Sequence, residues 1–149
     1  NISKWKRPDP STAPVNTKAA GLYMICTLSK HDAESQGFDD SLMLDYRGYI
    51  AEATGANIFF AKNNTIHTPI ADCFLDGITR QTVIKIAKKK GIKVNEGHFK
   101  LNFLADCDEF FLTGTAVEIT PVGAVDSYSF VIGEITKLLI KEFQKEVLL

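Results

Sequence analysis

Gly48-Tyr-Ile-Ala-Glu52-Ala-Thr-Gly55-Ala-Asn57-Ile-Phe59 decides the reading of this chain. Two short apolar runs flank small and polar residues, with Gly55 and Asn57 as the residues that reverse the chain between strands. One carboxylate, Glu52, sits in an otherwise uncharged, apolar-flanked setting. Upstream, Ser41–Asp45 reads as a strand, Tyr46-Arg-Gly48 as a turn and Tyr49-Ile-Ala51 as the return strand. Downstream, Asn57–Ala61 and Thr65–Thr68 read as strands joined by an Asn63-Asn64 hairpin turn.

Helical signals are interleaved with these strands. Thr17 is expected to cap a helix from Lys18 to Gln36, with Ala19, Tyr23, Cys26, Leu28 and Ala33 as its apolar stripe and Gly37 as its stop. Ile78, Thr82, Val83, Ile86 and Ala87 share one face of a helix over Ile78–Lys90, stopped by Gly91. The run Lys88-Lys89-Lys90 then falls at the helix end that favours cations. A last amphipathic helix starts at Gly133 and runs through Ile135, Leu138, Leu139, Phe143 and Val147. Further strands are expected at Ile92–His98, Asp108–Thr113 and Glu118–Val125, with Pro121 marking an edge or a bulge. Residues Asn1–Asn16, with Pro8, Pro10 and Pro14, read as an extended arm. Many strands with interspersed helices give an α+β or α/β layered domain.

Composition limits the functions available. The chain has 149 residues, 45% hydrophobic and 23% charged, which suffices for one domain with a sizeable core. A net charge of −1 offers no footprint for nucleic acid or an anionic membrane. No apolar run approaches the ~18 residues of a membrane span. Cys26, Cys73 and Cys107 are odd in number and widely spaced, giving neither a disulfide framework nor a metal spacing and fitting a reducing compartment. His31, His67 and His98 are also scattered.

Three junctions between apolar segments can gather backbone N–H groups around an anion. Leu75-Asp-Gly77-Ile-Thr79-Arg80 opens the expected helix, so the N–H groups and hydroxyl of Gly77-Ile78-Thr79 point at any dianion placed there. Thr113-Gly-Thr115-Ala116 supplies a second turn with a hydroxyl. Glu52 has two readings from the residues alone: a strand-end acid facing water, or a carboxylate paired with a bound cationic group. In Pro14-Val-Asn-Thr-Lys18-Ala-Ala-Gly21-Leu-Tyr23, Lys18 follows a proline-rich segment where a helix should begin. Burial and the helix dipole there would favour a neutral, nucleophilic amine.

In this order the motifs resemble the pyridoxal-phosphate site of the class IV (fold type IV) aminotransferases, and the branched-chain amino-acid aminotransferases look most similar. The resemblance runs from Ser3-Lys-Trp-Lys-Arg7 to Val125. It implies a D-amino-acid-aminotransferase-like fold, with mixed, barrel-like strands flanked by helices. It implies Lys18 as the Schiff-base lysine, Tyr23 near the cofactor's 3′ oxygen, Glu52 on the pyridine nitrogen and Gly55 in the turn beneath the cofactor. Leu75 would lie under the ring, and Gly77, Ile78, Thr79 and Thr115 would hold the phosphate. Thr115 and Ala116 would hold the substrate carboxylate, while Arg80 is an anchor on its helix. Leu22 departs from the family, where many members carry Asn.

Transamination of leucine, isoleucine and valine with 2-oxoglutarate is the implied activity. D-amino-acid aminotransferase, aminodeoxychorismate lyase and a non-catalytic domain acting only as a partner stand as alternatives. The resemblance covers only the C-terminal, larger domain of such enzymes. An N-terminal domain, expected outside this sequence, would supply a phosphate-binding arginine and substrate-pocket side chains in a cytoplasmic homo-oligomer. The isolated chain is therefore expected to be inactive or weakly active.

Overall fold

The computed structural model describes residues 1–147. Strand β1 (Ile2–Arg7) is followed by a 3-10 turn at Ala20–Leu22 and helix α1 (Tyr23–Ser35). Strands β2 (Leu42–Asp45), β3 (Ile50–Ala53), β4 (Asn57–Lys62) and β5 (Thr65–Pro69) come next, then helix α2 (Ile78–Lys89). Strands β6 (Lys93–Gly97), β7 (Glu109–Gly114), β8 (Glu118–Pro121), β9 (Ala124–Val125) and β10 (Tyr128–Ser129) precede helix α3 (Glu134–Val147).

The strands form a three-stranded sheet β1-β2-β3, a five-stranded sheet β6-β5-β4-β7-β8 and the small β9-β10 ribbon, with no closed barrel among the described residues. Two pairings are parallel, β1 with β2 and β5 with β6. Parallel neighbours need a crossover, and α1 and α2 provide the two. The architecture is α+β with mixed sheets and flanking helices, as the sequence led us to expect.

Strand β4 sits at the centre of the large sheet, and its period-2 alternation builds a core on each face. Ile58 and Phe60 join Phe110, Ile50, Leu42 and Leu104 on one face. Phe59 and Ala61 join Phe111, Val83, Ile86, Leu139 and Phe143 under α2 and α3 on the other. Phe59 pairs with Phe111 in register, and their rings stack at 5.2 Å. Burying four phenylalanines on two adjacent strands fixes the register, because a one-residue slip would exchange the two cores.

Several expectations need correction. The first residues are not wholly an arm, since Ile2–Arg7 forms an edge strand on β2. α1 starts at Tyr23, not Lys18, and the Thr17 hydroxyl donates to Pro14 O at 2.7 Å instead of capping a helix. Its buried positions are Cys26, Ser29 and Ala33, whereas Tyr23 and Leu28 are exposed. Ser29 replaces an apolar residue on that stripe because its hydroxyl is satisfied by Ile25 O and by Ser3 Oγ, each at 2.7 Å. On α2, Ile78 leaves the buried face and is 82% exposed. Leu138 and Val147 of α3 are likewise exposed.

Other readings match. Gly37 and Gly91 lie at positive φ just after α1 and α2. β8 is an edge strand and ends at Pro121. No helix among the described residues is long and apolar enough to cross a membrane.

Candidate active site

The ends of β1, β3 and β7, the start of β4 and the N-terminus of α2 meet around a cleft of about 360 Å³. Lys18, Tyr23, Glu52, Gly55, Leu75, Gly77, Ile78, Thr79 and Thr115, which lie far apart in sequence, all line it. Ala116 follows Thr115 on the exposed turn and is not part of the lining. Arg80 points away, bonded to Thr68 Oγ1, Pro69 O, Asp76 and Glu96, and anchors α2 to the sheet as expected.

Glu52 lies on β3 with little solvent access. The Arg7 Nε stands 3.2 Å from its Oε1, and the Asn57 Nδ2 donates a long 3.4 Å bond to Oε2. Burial pushes its carboxyl up to about 8, and the charge of Arg7 pulls in the other direction. Of the two readings open from sequence, the water-facing acid is excluded. Arg7 is held in turn by Cys73 O at 3.4 Å, Leu22 O at 3.5 Å and Cys26 Sγ at 3.3 Å. A buried guanidinium with this many partners fixes the carboxylate in one orientation.

α2 opens at Gly77 with no side-chain cap and no acid in its first turn. Its leading N–H groups are therefore available to an anion in the cleft. Asp76, the acid just before the turn, is tied to Arg80 Nη1 at 2.7 Å. Thr79 is buried beside the turn. On the end of β7, Thr113 is 1% exposed, and its hydroxyl has no hydrogen-bond partner among the described residues.

Lys18 differs from its expected setting. It lies in the loop before the 3-10 turn, is exposed, and among the described residues makes neither a hydrogen bond nor an ion pair. No helix dipole acts on it, because α1 begins five residues later. Tyr23, at 38% exposed, stands at the helix start within the same cleft.

Three cleft residues escape a reading from sequence. Arg7 is one cation among Lys4 and Lys6 until β1 is recognised, and nothing local identifies it as the buried one. Asn57 is expected both as a turn residue and as the start of a strand; it does open β4, with its side chain buried, while the reversal belongs to Thr54–Ala56, closed by the Ala53 N–H on Ala56 O at 2.9 Å. A lone amide between Ala56 and Ile58 is the available signal. Thr113 faces the cleft beside Asn57, its cross-strand partner.

Known proteins bear on this arrangement. A probable branched-chain-amino-acid aminotransferase of Rickettsia bellii is 49% identical over 125 residues, 84% of this chain and 43% of that protein. The branched-chain-amino-acid aminotransferase of Escherichia coli K12 is 41% identical over 126 residues, covering 84% and 41%. The branched-chain aminotransferase of Thermoproteus uzoniensis with norvaline superposes with TM-score 0.95 at 35% identity, over 99% of this chain and 50% of that one. The Thermobaculum terrenum branched-chain amino acid aminotransferase in its PLP-form gives 0.93 at 33%, over 98% and 49%. The chain thus spans about half the length of the relatives it matches. The sequence model of the amino-transferase class IV family matches residues 1–125, and with relatives this similar the chain belongs to that family.

Proposed function

We propose that this chain is the C-terminal, cofactor-binding domain of a branched-chain amino-acid aminotransferase, which moves an amino group between leucine, isoleucine or valine and 2-oxoglutarate with pyridoxal 5′-phosphate. The observation that carries the reading is the buried Arg7–Glu52 pair in the same cleft as Lys18, Tyr23 and the open end of α2. The lining residues suit the cofactor: a carboxylate for the ring nitrogen, an uncapped helix start for the phosphate, and the unpartnered Thr113 hydroxyl as a further polar contact. Relatives at 41–49% identity carry the branched-chain name, which favours this activity over others of the same fold.

When bound, the cofactor supplies a conjugated electron sink for the charge that develops as the substrate α-carbon loses its proton. Lys18 Nζ would hold the cofactor through its aldehyde carbon, with loss of water, and once freed by the substrate amine would serve as the base and acid that moves the substrate α-proton. Glu52 would accept the ring N–H. A second cation beside it, added to Arg7, offsets the burial that pushes the carboxyl up and keeps it ionised. The Tyr23 phenol would meet the 3′ oxygen, Leu75 would support the ring, and Gly55 would keep the turn beneath it narrow. Backbone N–H groups of Ile78 and Thr79, at the turn that Gly77 opens, with the Thr79 and Thr115 hydroxyls, would hold the phosphate. N–H groups of Thr115 and Ala116 hold the substrate carboxylate.

The reading extends to the whole protein. Residues outside this chain complete the phosphate site with an arginine and close the substrate pocket in a cytoplasmic homodimer. Support comes from the matched share of the relatives, from cleft-lining Ile78 left 82% exposed, and from three free cysteines that suit a reducing compartment. Borohydride reduction of the cofactor-loaded protein, followed by peptide mapping, is expected to place the pyridoxyl group on Lys18. Label on any other lysine would sink the assignment.

A further inference from the structure

Among the described residues, Asn57 is the one side chain in the cleft that touches both ends of the proposed cofactor site. Its Oδ1 accepts the Gly77 N–H at 3.1 Å, and its Nδ2 donates to Leu75 O at 3.0 Å and, at the long distance of 3.4 Å, to Glu52 Oε2. The amide is buried, and every polar atom it carries is used. It stands at the start of β4, where the partnered strands β4 and β7 fix its backbone. The Leu75–Gly77 segment has no sheet or helix of its own to hold it. Its two backbone bonds to Asn57 join the turn before α2 to the Glu52 side of the cleft, while Arg80 anchors the first turn of the helix itself to the sheet.

Gly77 is shaped to this contact. A Cβ built on Gly77 would lie 2.5 Å from Asn57 Oδ1, well inside van der Waals distance. Any side chain there would push the amide off the turn. Gly77 is therefore required by a specific neighbour and not by its backbone angles, since its φ of −64° is open to all residues.

We propose that Asn57 is a positioning residue that ties the ring-nitrogen carboxylate of Glu52 to the phosphate-binding turn at Gly77, so that the two ends of the cofactor site are set as one unit. The inference rests on the proposed cofactor reading. It assigns Asn57 no contact with substrate or reacting atoms. Asn57 acts through the groups it holds.

The test combines a double-mutant cycle with a titration. Pyridoxal 5′-phosphate affinity is measured by absorbance on the full-length protein and on Asn57→Ala, Gly77→Ala and the double variant. Each single change is expected to weaken binding about tenfold or more, because either one breaks the same buried bond. The double variant is expected to bind about as weakly as one single variant, since removing the Asn57 amide leaves room for a Cβ at position 77. Additive losses would overturn the coupling.

The second readout needs no cofactor. The carbon-13 carboxyl signal of Glu52 in cofactor-free protein should titrate at higher pH in Asn57→Ala, which loses a donor to the ionised form, and higher still in Asn57→Asp, which adds a like charge. Gly77→Ala should move it in the same direction as Asn57→Ala. A Glu52 titration unmoved by all three overturns the tie between the two ends. If Asn57→Ala does not fold, Asn57→Asp and Gly77→Ala decide the outcome. Pyridoxyl label on Lys18 together with an additive cycle defeats this inference and leaves the cofactor reading standing. A cofactor that never reaches Lys18 defeats that reading, while the Glu52 titration still judges the tie.

Discussion

Glu52 is held between two opposing effects, and pH separates them. Burial favours its neutral form and Arg7 its charged form, with burial ahead in the cofactor-free chain, where its carboxyl is pushed up to about 8. An acid raised on folding makes the native state bind more protons than the unfolded state between about 4.5 and 8. Stability is then greatest at the acid end of that window and falls as pH rises, by at most about 1.4 kcal/mol per pH unit. Glu52→Gln removes the titrating group, so the slope across this window is expected to flatten relative to the unchanged protein. Urea melts at pH 5, 6.5 and 8 measure it, and identical slopes for both proteins would mean that Glu52 is ionised throughout. If Glu52 meets the ring nitrogen as proposed, the same substitution removes the charge that favours its protonation, so with cofactor bound proton transfer should slow more than binding weakens. At this scale the sequence disclosed side chains whose type is distinctive in context: an acid among apolar residues, and hydroxyls beside glycines. It did not disclose Arg7, which owes its role to burial, a property that residue type does not carry.

At the level of elements, α2 and α3 begin differently. α2 begins uncapped and faces the cleft. α3 begins on the buried carboxylate of Glu109, which accepts the Thr136 N–H at 2.8 Å and, more weakly, the Ile135 N–H at 3.4 Å. That acid sits on β7, so it caps the helix from across the sheet and also suits the helix dipole. Glu109→Ala leaves those donors buried without a partner and is expected to cost about 1–3 kcal/mol. A thermal melt that differs from the unchanged protein by less than a degree would show that water satisfies the helix end. Glu109→Ala should leave the cofactor cleft intact, because the residue does not line it. Strand β4 and helices α2 and α3 were legible because their apolar spacing matched one period over several turns or residues. β1 was not, since Lys4, Trp5 and Lys6 are all exposed and the register shifts between Ile2 and Lys6. A bulged edge strand loses the alternation by which sequence reveals a strand.

For the whole molecule, the decisive property is how much of the cofactor site these residues enclose. The cleft has a buried floor at Glu52 and Arg7 and an exposed rim at Lys18, Tyr23, Ile78 and Thr115. On the proposed cofactor reading, floor residues would set the electronics of a bound ring, and rim residues would hold the substrate. A site with a finished floor and an open rim should therefore capture cofactor more readily than it turns over substrate. On the proposed cofactor reading, with α2 as the phosphate contact, an arginine supplied from outside the described residues would add a charge-assisted bond worth about 1.5–3 kcal/mol, equivalent to roughly ten- to hundredfold in cofactor affinity. The open rim also leaves the Lys18 amine exposed to water, without the desolvation that turns a lysine into a good nucleophile and base. We therefore expect this chain alone to bind pyridoxal 5′-phosphate weakly and to give near-background turnover with isoleucine and 2-oxoglutarate. The full-length protein should be active on the same pair and should not use D-alanine. Turnover by the isolated chain close to that of the full-length protein would show that the residues described here already close the pocket, and that the rim needs nothing from outside.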